Sequence, residues 1–112
     1  MTVSKESTIF PVGTIFVDLG RYGSDVVLFY QVVRCTEKTV WYKQIRSHPV
    51  SYNTAVLERK LMPMPTIFHN HPRIKTHMAR ILQDGRHYYV KSPEGAEMYK
   101  WDGQPVTESY TY

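Results

Sequence analysis

Val26–Ile45 reads VVLFYQVVRCTEKTVWYKQI. Two runs rich in Val, Ile, Phe, Tyr and Trp flank the polar triplet Thr36-Glu37-Lys38. β-Branched and aromatic side chains pack well on a pleated, half-buried surface, and their stiff χ1 angles are tolerated better in strands than in helices. The stretch therefore reads as a β-hairpin. Its second run carries Trp41, Tyr42 and Lys43, with Arg46 just beyond. Successive strand residues point to opposite faces, so Trp41 and Lys43 share one face, and Tyr42 and Arg46 the other. Only one of Trp41 and Tyr42 can enter a core.

Upstream of the hairpin, Pro11-Val12-Gly13 punctuates the chain, Thr14–Leu19 (TIFVDL) reads as a first strand, and Gly20–Asp25 (GRYGSD) reads as a loop. Downstream, Ser47–Thr54 reads as a loop around Pro49. Ala55–Met62 reads as a strand, because Pro63 and Pro65 would stop a helix at once. Met62-Pro63-Met64-Pro65 must be extended, Thr66-Ile67-Phe68 continues it, and His69–Pro72 is a loop. Ile74–Leu82 and Arg86–Lys91 form a second hairpin across Asp84-Gly85, a strong tight-turn signal. Only one of Tyr88 and Tyr89 can face inward. Ser92-Pro93 has the chemistry to start one short helical turn. Trp101–Pro105 is a turn, and Val106–Tyr112 (VTESYTY) alternates cleanly as a last strand.

Several short strands with no long helix predict an all-β fold, a small antiparallel SH3-like or partly open β-barrel with at most one short helical turn. At 112 residues, 1–112 is expected to be a single domain. Its N-terminus is polar over Met1–Ser7, and fraying is expected as far as residue 10.

Fourteen Lys and Arg against ten Asp and Glu give a formal charge of +4. That balance permits an anionic partner and argues against a protein that imitates DNA, which would be acidic. Nine Tyr in a chain this size favour a sheet with one face in use, because the phenol joins an apolar body to a polar tip. The single Cys35 cannot form an internal disulfide and reads as a small hydrophobe, which fits a reducing cytoplasm. No run approaches the roughly 18 consecutive apolar residues of a membrane span, and no secretion signal opens the chain. The expected setting is cytoplasmic, with no membrane partner.

Catalytic signals are weak. His69-x-His71 offers two ligands from one loop, with His77 and His87 elsewhere, but zinc sites gather three or four ligands at characteristic spacings. Neither metal nor cofactor is expected. Asp25, Asp84 and Asp102 abut turns, as Asp commonly does. Gly20–Gly23 is not followed by the helix or Lys-Ser/Thr of a phosphate-cradling loop. The chain reads as a binding protein rather than an enzyme. Two clusters mix aromatic and basic residues: Trp41, Tyr42, Lys43 and Arg46 on the first hairpin, and Arg80, Arg86, His87, Tyr88, Tyr89 and Lys91 on the second. Trp41, Lys43, Arg46, Arg86 and Tyr88 are the candidate binding residues, since exposed Trp, Tyr and Arg dominate binding hot spots. Single-strand nucleic-acid binders use the same residue types, with aromatics under bases and cations along the backbone.

Val12-Gly13-Thr14-Ile15-Phe16, then Phe29-Tyr30-Gln31-Val32-Val33 ahead of Thr39-Val40, and late Trp101-Asp102-Gly103-Gln104-Pro105 occur in that order before a Tyr-rich end. The pattern resembles a group of small proteins of bacteriophages and mobile elements, in which a GD-I-F start, an FYQVV strand and a WDGKP close recur. Thr14 stands where that group more usually has Asp, and Gln104 where it has Lys. The resemblance implies an accessory protein in a bacterial host cytoplasm. Its expected role is to bind a host protein, a ribonucleoprotein or RNA, including as an anti-CRISPR-type inhibitor of host defence. A module that only binds nucleic acid and a sponge for a nucleotide messenger are the alternatives.

Overall fold

A computed structural model describes residues 9–19 and 26–109. Among these, nine antiparallel strands and no helix are present: β1 Ile15–Asp18, β2 Leu28–Cys35, β3 Thr39–Asn53, β4 Glu58–Phe68, β5 His77–Arg80, β6 Leu82–Asp84, β7 His87–Lys91, β8 Glu97–Lys100 and β9 Val106–Ser109. The fold is all-β. The strands lie side by side in the order β6-β7-β8-β1-β2-β3-β4-β9, and β5 pairs with β3. The sheet is open, with β6 and β9 at its ends. Ile81 alone separates β5 from β6, and its N–H donates to the Lys38 carbonyl at 2.8 Å. The chain thus passes from the β3 edge straight to the far end of the sheet. The sheet rolls back on itself as a partly open barrel, with a gap between β5 and β7 rather than a continuous ladder.

The hairpin read from Val26–Ile45 forms as β2 and β3 around Thr36, whose N–H donates to the Thr39 carbonyl at 2.8 Å. Its β2 run lacks alternation because both faces of the strand are covered. Tyr30 and Val32 point into one core with Phe10, Phe16, Cys35, Val40, Tyr42, Val90 and Met98. Phe29 points into a second core with Ile15, Val27, Ile45 and Leu61, closed by Phe68, Trp101 and Val106. The first core fills the roll. The second lies on the outer face, where β4 and β9 fold across. Tyr42 takes the core position of its pair at 1 % exposure, and its hydroxyl donates to the Lys91 carbonyl at 2.8 Å. Edge-to-face rings surround it, with Tyr30 at 5.1 Å and Phe16 at 6.4 Å between centroids.

Several local expectations change. Phe10, within the span expected to fray, is buried and packs its ring edgewise on Phe16 at 4.8 Å, and Met1–Ser7 lies outside the described residues. Ser47–Asn53 is not a loop: β3 continues through it, pairing with β4 from Ser47↔Pro63 to Asn53↔Glu58. Pro49 is accommodated by an irregular register between Pro49 and Ser51. The turn lies instead at 54–57, and β4 begins at Glu58. Ile74–Leu82 is broken at Ile81. Ser92–Gly95 closes as a turn, with the Gly95 N–H on the Ser92 carbonyl at 2.9 Å and the Ala96 N–H on the Ser92 hydroxyl at 3.0 Å. The last strand is seen as Val106–Ser109, and the expected Tyr110–Tyr112 continuation lies outside the described residues, as does the Gly20–Asp25 loop.

The β3–β4 hairpin extends past the rolled sheet as an arm. Every β3 residue from Arg46 to Asn53 is exposed. The molecule measures 59 × 34 × 24 Å with a radius of gyration of 15.0 Å, against about 13 Å for a compact domain near this length. One buried polar knot anchors the arm. Glu108 of β9, 7 % exposed, accepts the Val27 N–H at 2.7 Å and the Arg59 Nε–H at 2.8 Å, with Arg59 Nη2 at 2.6 Å.

Candidate binding face on the central strands

Pairing registers define the outer face of β2, β3 and β5. Arg34 lies opposite Trp41, and Trp41 opposite Met78. These three form a row across the strands. Gln31 and Lys43 form the next row, and Thr39 and Arg80 the row on the other side. No carboxylate occupies these seven positions. Met78 is 67 % exposed, Arg34 and Arg80 are exposed, and Trp41 and Lys43 are half-buried. The Arg34 guanidinium carbon sits 4.5 Å from the Trp41 ring centroid, and Lys43 Nζ sits 5.7 Å from that of Phe68. Both cations are thus within cation–π range.

A β-bulge places Arg34 there. Val32 pairs with Tyr42 and Arg34 with Trp41, so Val33 is one extra residue on β2. With a regular ladder, Val33 would face Trp41 and Arg34 would face Val40, which is fully buried. The bulge restores the alternation for Cys35, which pairs with Val40 inside the first core. Bulges re-aim side chains in this way. Below this face, the side-chain Oε1 of buried Gln31 accepts the Thr66 N–H at 2.8 Å. Thr66 has φ 65°, a left-handed conformation that is rare for a β-branched residue. The Gln31 bond holds that strained bend of β4 against β2.

Only part of the sequence-derived set comes together. Trp41 and Lys43 share the outer face. Arg46 lies further along β3 near His69, whose pKa is lowered by burial and by the Arg46 charge. Arg86 and Tyr88 belong to a separate hairpin, β6–β7, with no pairing to β3. Arg86 is not on a strand: Gly85 and Arg86 are the two loop residues, and Gly85 has the positive φ of 60° that a type II′ turn asks of its first position. Tyr88 is 39 % exposed, and Tyr89 is half-buried against Tyr99 at 5.6 Å between centroids. Arg34, Met78 and Arg80 complete the face. Arg80 carried a signal as part of a basic and aromatic cluster. Arg34 and Met78 carried none, because their places depend on a bulge and on β5 docking from about forty residues away.

Among the described residues, no three His, Cys, Asp or Glu side chains gather as a metal-holding group. His71 instead accepts the Arg73 N–H on Nδ1 at 3.1 Å, a local loop bond. No helix among them is long and apolar enough to cross a membrane. Among the cavities that open off the sheet, two bear on the site. One of about 520 Å³ lies over β1, β8 and β9 with a largely apolar lining that includes Val17, Tyr99, Trp101 and Val106. The other, about 400 Å³, lies between β5 and β7.

No family model, no curated protein and no solved structure matches this chain.

Proposed function

We propose that the protein acts by binding rather than catalysis, and that the Trp41 face docks on an acidic surface of a host protein. The row Arg34–Trp41–Met78 carries this reading. Trp and Arg are the residue types that dominate hot spots, and Met is enriched at interfaces. The stacking of Arg34 on Trp41 holds the long arginine side chain in place, so less freedom remains to be lost on docking. The cations at Arg34, Lys43 and Arg80 favour an acidic partner and speed its encounter. The resemblance to phage and mobile-element proteins supports a setting in a bacterial host cytoplasm, with inhibition of a defence system, including an anti-CRISPR role, as the outcome of docking.

The same cations favour a second reading, a nucleic-acid-binding module with RNA as the partner. One observation weighs against it. The ring faces a base would stack on are occupied in part by the chain's own Arg34 and Lys43. A pull-down from bacterial lysate, with and without nuclease, separates the two. The expected result is a protein partner retained after nuclease treatment and lost by Trp41→Ala and Met78→Asp, both folded. Loss of the partner on nuclease treatment would replace the protein reading with the RNA one. Binding that survives both substitutions would refute this face.

A further inference from the structure

We propose that the gap between β5 and β7 is a binding site for a small phosphate ester, adjoining the Trp41 face and sharing Met78 and Arg80 of β5 with it. The rolled sheet leaves this gap because, among the described residues, β5 makes its ladder with β3 alone, while β7 takes its ladders from β6 and β8. The space amounts to about 400 Å³, within the range of small-molecule pockets. His77, Arg80, Lys91 and Ser92 line it, and among the described residues no Asp or Glu does. Asp18 and Glu94, the carboxylates that act on the phenols of Tyr30 and Tyr42, are not among the lining residues.

The chemistry suits one ligand class. Arg and Lys bind phosphate through charge-assisted hydrogen bonds, Arg in a planar fork and Lys as a point charge. The β5 edge facing away from β3 belongs to a strand whose backbone groups are not used by a second ladder, so N–H donors are available beside the cations. Met78, Ala79, Leu82 and Pro93 supply apolar wall for the ester's organic part. Packing and a hydrogen bond hold one side of the gap. Tyr42 packs its ring against His77, centroids 5.8 Å apart, and its hydroxyl fixes the Lys91 backbone. Ser92 is held in the turn that follows. The volume suits a mononucleotide or smaller ester and excludes a nucleic-acid duplex.

Isothermal titration calorimetry on the full chain tests the proposal, using inorganic phosphate, adenosine monophosphate and adenosine as probes. The monophosphate is expected to bind at one site per chain, and adenosine at least about tenfold more weakly. Arg80→Gln and Lys91→Gln are each expected to lower affinity for the monophosphate at least about tenfold. Both residues are exposed, so melting temperatures should stay near wild type. Arg73→Gln, in the loop outside the cavity, should leave binding unchanged. Inorganic phosphate competing with the monophosphate would place the anion in the site. No heat with either phosphate at millimolar concentration would overturn the proposal. So would equal binding of adenosine, or full affinity in the Arg80→Gln, Lys91→Gln double variant.

Discussion

Trp41 and Tyr42 are adjacent and chemically similar, yet their roles are opposed. Tyr42 sits on the inner face, ringed by Phe16 and Tyr30, with its hydroxyl on the Lys91 carbonyl. Trp41 sits outside beneath Arg34. Tyr42→Ala should lower unfolding free energy by roughly 3–5 kcal/mol, because a large cavity replaces a close-packed ring. Tyr42→Phe keeps the ring and removes one hydrogen bond, so about 1 kcal/mol is expected. Trp41→Ala should fall well below the first value. Urea titrations of the three variants check the order, and a Trp41→Ala protein less stable than Tyr42→Ala would reverse the assignment of faces. Glu108 is the other decisive residue. Its carboxylate serves both a strand start at Val27 and the Arg59 guanidinium. Glu108→Ala leaves the Val27 N–H without its acceptor and should destabilise by roughly 1–3 kcal/mol. Arg59→Ala should cost at least as much, since it strips the cation from the Glu108 carboxylate, which is only 8 % exposed and keeps the Val27 N–H alone.

At the scale of elements, legibility tracked how local the determining interactions are. The β2–β3 hairpin was readable from Val26–Ile45 because its turn and both apolar runs are contiguous. The β6–β7 turn was readable from Asp84-Gly85 for the same reason. Ser47–Asn53 was not, since composition around Pro49 signals a loop, and only pairing with β4 makes it a strand. That Trp41 or Tyr42 must be core followed from alternation, but the choice between them needed both faces of the sheet. The Val33 bulge is the element that sequence could not reveal, because VVR reads as a regular strand. It has a direct consequence. Deleting Val33 would restore a regular ladder and leave Arg34 opposite Trp41 and Cys35 opposite Val40, as they are now. The deletion variant is expected to keep cooperative folding, as judged by a sharp thermal transition. Val33→Ala, at a partly exposed site, should change stability by only about 0.5 kcal/mol. A deletion variant that loses the sharp transition would show that β2 needs the local bend the bulge supplies.

Across the whole molecule, one rolled sheet has two cores on its opposite faces and one arm with almost no core of its own. The arm relies on the Glu108 knot, whereas the roll relies on packing round Tyr30 and Tyr42. These two phenols make the roll sensitive to alkali. Burial, with the nearby Asp18 and Glu94 charges adding to it, pushes the Tyr30 pKa from 10.0 up to about 12. Burial raises Tyr42 as well, with Tyr30 and Asp18 contributing. A pKa raised in the folded state means that the folded protein holds the proton more tightly than the unfolded chain does. The stabilisation is therefore complete below pH about 10, the ordinary tyrosine value, and declines as pH rises through the folded value near 12. The expected outcome is a biphasic tyrosinate absorbance titration. Most of the nine tyrosines ionise first with the β-sheet circular dichroism intact, and the last ionise together with its loss. Tyr30→Phe removes one of the groups whose ionisation drives unfolding, so it should move the loss of β signal to higher pH. If all tyrosines ionise in one step while the sheet signal persists, the phenols do not hold the roll together and its stability must come from the aliphatic core alone.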